Sequence, residues 1–347
     1  MAGKIVCGLG WGDEGKGLTV SFLCSQTDNP LVVRFNGGQQ AGHTTVYNGK
    51  RHVFSSFGAG SLQGVPTYWS SYCTFYPPSF CREYDMLLDY SPVIYVNPLC
   101  PVTTPFDIDH NRLTEKRKGH GSVGMGFGAT IQRQEHYYKL HVQDLFYETV
   151  LLTKLRTIAA YYNGVDVEEQ IEYFLKAVRK VRNIIKLSDD SILKRYNPIF
   201  EGAQGILLDM DFGFFPNVTR SNTTSKNALQ MYGADEIYYV TRSYLTRHGN
   251  GFMPGERKLS LFNNELETNV KHEYQGEFRT AELDIDLMNY ALQCDNNYSA
   301  GLKKNLVITC NDQFGIDIDS LLSKLNTNFD KVYISNGPSL DNVYIYK

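Results

Sequence analysis

The sequence predicts an α/β fold in which helices flank a largely parallel central sheet. The first observation is a short apolar run at residues 5–9, followed by a glycine-rich turn and a helical pattern at residues 16–24. That order is typical of a strand, a phosphate-binding loop and a helix. The second observation is that strand-like runs alternate with helical stretches along the chain, which favours a parallel sheet.

The remaining elements follow in chain order from their patterns. Residues 31–35 form a second predicted strand, and residues 150–187 have helical spacing with a break near Asn163-Gly164, so we predict two helices there. Further strands are predicted at residues 197–201, 236–241, 305–309 and 331–335. Because no linker or repeat interrupts the chain, we expect one domain over residues 1–347 with a helical insertion around residues 140–190.

The composition is that of a soluble globular protein. The chain has 347 residues, 42% of them hydrophobic and 20% charged, with a net charge of −3 when His is neutral. This charge gives no reason to expect nucleic acid as a partner, and no stretch approaches the roughly 20 apolar residues of a membrane span. The seven cysteines lack CxxC spacing and no secretory signal is evident, so we expect reduced thiols and a cytoplasmic protein.

A phosphate loop is predicted at residues 10–17, which read GWGDEGKG and match the pattern GxxxxGK. Gly17 stands where a P-loop enzyme has the Ser or Thr whose hydroxyl binds Mg²⁺. A metal ion must therefore find another ligand, and Asp13 inside the loop is the obvious one. A plain tight turn is the alternative, but the preceding strand, the following helix and Lys16 favour a nucleotide site.

Four segments resemble the signature motifs of the adenylosuccinate synthetase family and occur in that family's order. They are WGDEGKG at residues 11–17, RFNGGQQAGHT at 34–44, FEGAQG at 200–205 and VTRSNTT at 218–224. Members of this family activate the 6-oxo group of a purine nucleotide with a nucleoside triphosphate and replace it with L-aspartate. The resemblance implies a carbon–nitrogen ligase that uses Mg²⁺, forms a homodimer and works in the cytoplasm, which is the host's if a phage encodes it.

The resemblance also implies a catalytic set. Asp13 would be the base for the purine N1 proton and, with the Gly42 carbonyl, a ligand to Mg²⁺. His43 would stabilise the transferring phosphoryl group as an acid, with a structural histidine as the alternative. Gln204 would hold the activated 6-oxygen, with a turn-capping amide as the alternative. Phosphate oxygens would be bound by Lys16 and by the loop residues Gly12, Glu14, Gly15 and Gly17.

Positions for the substrates follow from the same resemblance. The acceptor nucleotide would meet Asn36, Gln40, Ser55, Ser56, Ser122, Gln204 and Thr219. Arg133 would reach it across a dimer interface, and a solvated surface arginine is the alternative. The donor base would contact Thr309, Asp312, Gly337 and Pro338. Asp312 could accept from guanine N1 and N2, with a turn or helix N-cap as the alternative. L-Aspartate would bind at Gly276, Arg279 and Thr280.

The chain departs from the family's pattern around the base and the sugar. Residues 274–280 read YQGEFRT where the family has an arginine-rich segment, so Arg279 is the one cation of that stretch, and a family contact to the ribose 2′-hydroxyl is lost. Gln40 replaces an Asn, Cys310 replaces a Lys, and residues 54–60 replace a stretch beside the purine. These changes favour dGMP as the acceptor, as in phage relatives that make a diaminopurine DNA precursor, with IMP as runner-up. Some of those relatives lack the catalytic Asp and use ATP, whereas this chain keeps Asp13 and Asp312, which favours GTP.

Two other classes of protein stay open from the sequence. A P-loop GTPase or kinase would turn over the triphosphate without ligation, and Gly17 argues against it. A catalytically inactive nucleotide-binding regulator is the second, and the presence of Asp13, Lys16 and His43 argues against that.

Overall fold

The computed structural model describes residues 3–118, 121–265, 267 and 276–347. Its strands are β1 (Lys4–Gly8), β2 (Pro30–Arg34), β3 (His43–Tyr47), β4 (Lys50–Phe54), β5 (Thr67–Trp69), β6 (Ile94–Val96), β7 (Lys186–Leu187), β8 (Asn197–Gly205), β9 (Glu236–Arg242), β10 (Leu245–His248), β11 (Phe278–Ala281), β12 (Lys303–Thr309), β13 (Lys331–Ser335) and β14 (Val343–Ile345). Its helices are α1 (Lys16–Ser25), α2 (Pro77–Met86), α3 (Pro105–Lys118), α4 (Phe127–Glu135), α5 (Glu148–Tyr161), α6 (Val167–Val181), α7 (Lys226–Met231), α8 (Ile285–Ser299) and α9 (Ile318–Lys324). None of these described helices has the length and apolar character needed to cross a membrane.

One large sheet organises the described part of the chain. Its ten strands run in the order β14-β13-β12-β9-β1-β8-β2-β5-β6-β7. Neighbouring strands are parallel throughout, except that β14 is antiparallel to β13. β1 lies near the middle, where Ile5 pairs with Phe200 of β8 on one side and with Ile237 of β9 on the other. The predicted fold class is confirmed, and each strand expected from the sequence is present.

The central strands are buried on both faces, which explains why their sequences are continuously apolar. Ile5 packs in one hydrophobic cluster and its neighbour Val6 in the other. Leu31 and Val32 of β2 divide between the two clusters in the same way. All four side chains are fully buried, and burial of each contributes about 1.5–3 kcal/mol. These strands therefore hold layers on both sides of the sheet and fix the position of the loop that follows β1.

The predicted helical pair corresponds to α5 and α6. Asn163 and Asp166 separate them with left-handed backbone angles, φ 51° and 49°. α6 buries Ile171 and Val178 on one face and packs against α2. The prediction that helical structure extends to residue 187 is wrong, because residues 186–187 form β7 and pair with β6. Pairing at the edge of the sheet outweighs the helical pattern there.

Two antiparallel hairpins stand outside the main sheet, and neither was predicted. β3 and β4 form one, in which His43 lies opposite Phe54. β10 and β11 form the other, in which His248 lies opposite Phe278. Each hairpin carries a histidine at one end, and both histidines belong to the site described next.

Candidate active site

The loop between β1 and α1 has the backbone shape of a phosphate loop. Gly12, Asp13 and Gly15 all have positive φ angles, of 106°, 63° and 94°. Glycine adopts these conformations at little cost, and Asp tolerates the left-handed region better than most residues. The chain therefore turns sharply at the end of a central strand, which is where parallel sheets bind ligands.

Gly17 explains why the loop lacks the usual metal-binding hydroxyl. A Cβ atom at Gly17 would lie 2.8 Å from the Thr44 carbonyl oxygen and 3.1 Å from Cβ of His43. The first turn of α1 thus packs directly against β3, and a serine or threonine would push the β3–β4 hairpin away. The same glycine that removes the hydroxyl allows His43 to approach the loop.

Glu14 holds the loop together from within. Its Oε1 accepts hydrogen bonds from the backbone N–H groups of Gly10 at 3.0 Å and Gly12 at 2.8 Å. Its Oε2 forms a buried ion pair with Lys16. A Cβ atom at Gly8 would lie only 2.3 Å from this carboxylate, so the glycine makes room for it. In this structure Glu14 shapes the loop and orients Lys16.

The loop opens onto a cavity of about 390 Å³. The predicted site residues that line it are Gly12, Asp13, Glu14, Gly15, Lys16, Gly17, Gln40, Gly42, His43, Gln204, Thr309, Asp312, Gly337 and Pro338. Every residue predicted for the phosphates, the metal, the donor base and the chemistry thus faces one space. Trp11, Arg242 and His248 line the same cavity and were not predicted.

Asp13 is suited to accept a proton. Burial raises the pKa of its carboxyl group, and the nearby cations Arg242 and Lys16 act in the opposite direction without cancelling the effect. A carboxylate with a raised pKa is a stronger base than an ordinary one.

His43 is paired with a buried carboxylate that the sequence analysis did not select. Its Nδ1 lies 2.6 Å from Oε1 of Glu201, whose Oε2 accepts a hydrogen bond from the Ala59 N–H at 3.2 Å. Burial lowers the pKa of His43, and Glu201 opposes this. Burial also disfavours ionised Glu201, but His43 and Arg34 outweigh it and hold the pKa of Glu201 below its usual range. Nε2 of His43 is buried without a partner among the described residues, so it is the ring atom left for a ligand.

Two amide side chains line the cavity with unused hydrogen-bonding capacity. Gln204 sits at the end of β8 with φ 63°, and its Oε1 is buried without a partner in the described residues. The side-chain nitrogen and oxygen of Gln40 are also buried, and neither has a hydrogen-bond partner among the described residues. Buried polar groups are normally satisfied, so these amides are suited to bind a polar ligand.

Arg34 is a second charged residue that the sequence reasoning missed. It is fully buried, stacks over the Trp69 ring at 5.1 Å, and lies beside Glu201 in the register of β2 and β8. Both charged residues occur inside the quoted motifs, Arg34 at the end of β2 and Glu201 in the middle of β8. An ionisable residue next to the apolar residues of a buried strand was the available signal, since such residues are rarely buried without a partner.

Ser55 and Ser56 do not line the cavity, contrary to the prediction. Both turn to Glu83 of α2, which accepts hydrogen bonds from the Ser55 hydroxyl at 2.8 Å and from the Ser56 N–H at 2.6 Å. Glu83 is itself almost completely buried. A buried carboxylate needs such donors, which engages the Ser55 side chain and the Ser56 backbone. The Ser56 hydroxyl is buried without a partner in the described residues and does not line the cavity.

Arg133 and Asn36 also bind other parts of the chain and do not line the cavity. Arg133 is fully buried; its Nε lies 2.8 Å from Asp107 and its Nη2 donates to the Val102 carbonyl at 2.7 Å. Within this chain its guanidinium is held inside the fold, and the homodimer stays a prediction from the resemblance. The side-chain amide of Asn36 makes two hydrogen bonds with the backbone of Ala203, at 2.9 and 2.8 Å. Asn36 thus positions the end of β8, which carries Gln204, and does not line the cavity.

The remaining predicted residues lie outside the cavity lining. The Ser122 hydroxyl accepts a hydrogen bond from Asn111 at 3.1 Å, and the Thr219 N–H donates to the Leu208 carbonyl at 2.8 Å. Arg279 is bound by Glu256, with 2.8 Å between its Nε and Oε1.

Two further members of the predicted aspartate segment are described. Gly276 has φ 83°, and the Thr280 hydroxyl donates to the Arg257 carbonyl at 2.7 Å. The structure does not bring either one to the cavity. Tyr274 and Gln275 fall outside the described residues.

The oxygen donors at the loop fit a magnesium ion better than a transition metal. No group of three or more His, Cys, Asp or Glu residues that could hold a metal occurs in the described ranges. Asp13 and the backbone of Gly42 nevertheless share the cavity. Mg²⁺ typically takes one or two carboxylates from the protein and completes its shell with water and substrate phosphates. This sparse donor set is therefore compatible with Mg²⁺ brought by a nucleotide.

The parallel sheet, the glycine-rich loop with its own carboxylate and the cavity at the strand ends define a nucleotide-binding α/β protein. Residues 5–314 match the family model for adenylosuccinate synthetase. The chain belongs to the adenylosuccinate synthetase family.

Individual relatives support this assignment. The adenylosuccinate synthetase of Teredinibacter turnerae is 32% identical over 279 residues, which cover 73% of this chain and 64% of that protein. The enzyme of Halothermothrix orenii is 30% identical over 338 residues, covering 88% of this chain and 77% of that protein. The chain thus spans roughly two thirds to three quarters of the length of these relatives.

Two solved structures share the fold at low sequence identity. The fully ligated adenylosuccinate synthetase of Plasmodium falciparum has a TM-score of 0.81 at 20% identity, and the match covers all of both chains. The succinoaminodeoxyadenylate synthetase of cyanophage S-2L, bound to dGMP and to dATP as an energy donor, has a TM-score of 0.73 at 16% identity. That match covers 99% of this chain and 95% of the other.

Proposed function

We propose that this chain is a ligase that condenses L-aspartate with the 6-oxo position of a purine nucleotide at the expense of a nucleoside triphosphate. The observation that carries the proposal is that Asp13, His43 and Gln204 line one cavity with the phosphate loop. A proton acceptor, a histidine with a free Nε2 and an amide for an oxygen are the groups that this chemistry needs.

In the first step a 6-phosphoryl nucleotide forms. Asp13 accepts the N1 proton, and the 6-oxygen attacks the γ-phosphorus of the donor. The bond from that phosphorus to the bridging oxygen breaks, and the nucleoside diphosphate leaves. His43 Nε2 and Lys16 stabilise charge on the phosphoryl group, and Glu201 keeps the imidazole oriented through Nδ1. Mg²⁺, when bound by Asp13 and the Gly42 carbonyl, would supply further charge neutralisation.

In the second step the aspartate amine replaces the phosphate. The amine attacks C6, the bond between C6 and the phosphorylated oxygen breaks, and inorganic phosphate leaves while the nitrogen loses a proton. Gln204 has an unpartnered Oε1 in the cavity and an N–H₂ group that can donate to the departing oxygen. Activation as a phosphate ester is necessary because the oxygen of a purine amide is a poor leaving group by itself.

GTP is the proposed donor. Asp312 lines the cavity beside Gly337 and Pro338, and its carboxylate can accept from both N1–H and N2–H of guanine. Adenine has no N1 donor and would leave part of this carboxylate unpaired. Such a loss costs about 1–3 kcal/mol, which is a preference of tenfold or more.

dGMP is the proposed acceptor. Its 2-amino group needs an acceptor, and the cavity-lining Gln40 offers a buried Oε1 that has no partner among the described residues. The two serines expected to fill this role do not line the cavity and do not support the idea. IMP is the second candidate, because the relatives at about 30% identity are ordinary adenylosuccinate synthetases and IMP needs no partner at position 2.

A single substrate panel tests these assignments. Phosphate release and product mass are measured with dGMP, GMP, dIMP and IMP, each with GTP or ATP, with and without L-aspartate. We expect aspartate-dependent turnover with the highest kcat/KM for dGMP and GTP. A dGMP to IMP ratio well below one would identify an ordinary synthetase. Triphosphate turnover that ignores aspartate would favour a GTPase or kinase, and no turnover at all would favour a nucleotide-binding regulator.

A further inference from the structure

His248 lines the cavity and has no part in the proposed chemistry. Its Nε2 is buried and makes no hydrogen bond with any described residue. An unsatisfied buried nitrogen is uncommon in proteins unless a ligand or water completes it. The imidazole is therefore a candidate ligand group within the site.

The β10–β11 hairpin is tied to the phosphate loop and carries this side chain to the cavity. Thr246 and His248 project from the same face of β10, because side chains alternate along a strand. The Thr246 hydroxyl donates to the Gly12 carbonyl at 3.3 Å, which ties that face to the phosphate loop. Phe278, directly across the hairpin, contacts the imidazole edge-on at 6.3 Å between ring centroids.

The aspartate substrate brings two carboxylates, and the arginines around this hairpin already make contacts within the chain, although Nε of Arg247 has no partner among the described residues. Arg279 is held by Glu256 and Arg257 by Glu282 in ion pairs. Arg247 donates to the Phe252 carbonyl at 2.6 Å. His248 presents to the cavity a buried nitrogen that has no partner among the described residues. Trp11 Nε1 is a second such nitrogen, but its ring lies under the Arg247 guanidinium.

We propose that Nε2–H of His248 binds a carboxylate of L-aspartate and places its amine for attack on C6. The inference rests on the proposed function, because it concerns the second substrate of that reaction. It also explains how the chain can pair Arg279, the single arginine of residues 276–282, with its own carboxylate Glu256.

The test compares H248A with H248N, whose amide retains an N–H donor. H136A is the control, because His136 is an exposed histidine directly after α4. Two quantities are measured for each protein. One is the KM for aspartate and for each nucleotide in the ligation assay. The other is the Kd of L-aspartate by calorimetry, with the enzyme saturated with dGMP and GDP.

We expect H248A to raise both the KM and the Kd of aspartate about 10- to 100-fold, the usual loss for a hydrogen bond to a charged group. The KM of the nucleotides should stay within about twofold, and H248N should recover much of the loss. Unchanged aspartate affinity in H248A, or no aspartate binding by the wild type, would overturn the inference. A lower kcat with unchanged affinity would instead assign His248 to proton transfer. If the wild type binds aspartate but ligates no acceptor, the proposed function fails while the calorimetry still decides on His248.

Discussion

Replacing Asp13 with asparagine removes the proposed base with the least disturbance of the loop. Asp13 has φ 63°, a left-handed conformation that Asn adopts readily and Ala does not. An Asp13→Ala variant would add about 1–2 kcal/mol of backbone strain, so a loss of activity could reflect a distorted loop. D13N keeps the shape and backbone preference and removes only the proton acceptor and metal ligand.

The expected loss of rate follows from these roles. Removing a general base typically costs 10²–10⁴-fold in kcat, and the lost charge near the phosphates adds to this. The melting temperature of D13N, in contrast to its activity, should not fall. Because burial raises the pKa of Asp13, its contribution to stability is complete below the pKa of the unfolded chain and is lost as pH rises through the raised pKa. D13N carries no such loss, so it should melt at an equal or higher temperature at pH 7.

The assay is aspartate-dependent phosphate release, with thermal melts of both proteins at several pH values. The wild-type kcat/KM should fall on acidification at a pH above the ordinary carboxyl range, since Asp13 must be ionised to accept the proton. Turnover of D13N within a few-fold of the wild type would refute the role of Asp13 as base. A large drop in melting temperature at pH 7 would refute the argument from its burial.

Three other side chains test separate parts of the site. Glu201→Gln should lower kcat and shift the basic limb of the pH profile to lower pH, because Glu201 opposes the lowering of the pKa of His43; an unchanged profile would contradict the pairing. Asp312→Ala should reduce the preference for GTP over ATP about tenfold or more in kcat/KM, and an unaltered preference would remove Asp312 from base recognition. Arg133→Met should destabilise the fold by about 3–5 kcal/mol in urea denaturation, since it leaves Asp107 buried and unpaired; full stability with weaker nucleotide binding would instead support an interface role.

The local sequence pattern was sufficient to predict the strand, loop and helix at the centre of the molecule. The apolar run of β1, the glycines of the loop and the start of α1 are consecutive in sequence, and each has a strong conformational preference. The site residues that follow strand ends, such as Gln204 and Asp312, were predictable for the same reason. The carboxyl ends of parallel strands meet at one edge, so residues distant in sequence are brought together there.

Residues whose surroundings come from distant segments could not be predicted. Ser55 and Ser56 looked available until Glu83 of α2 supplied a buried carboxylate that needs their donors. Arg133 follows the same logic with Asp107. In both cases the decisive partner lies about 26–28 residues away, and nothing in the local sequence indicates which polar groups will be buried together.

The site combines parts with different freedom to change. Asp13, Glu201 and Gln204 follow from the register of β1 and β8, so moving any of them requires moving central strands of a ten-stranded sheet. His248, by contrast, stands on a two-stranded hairpin outside that sheet, where a substitution disturbs little else. A chain of this architecture can therefore keep the phosphoryl-transfer groups fixed while the hairpin changes how a second substrate is bound. The pairing of Arg279 with Glu256, on the strand beside the one that carries His248, is the kind of change that this freedom permits.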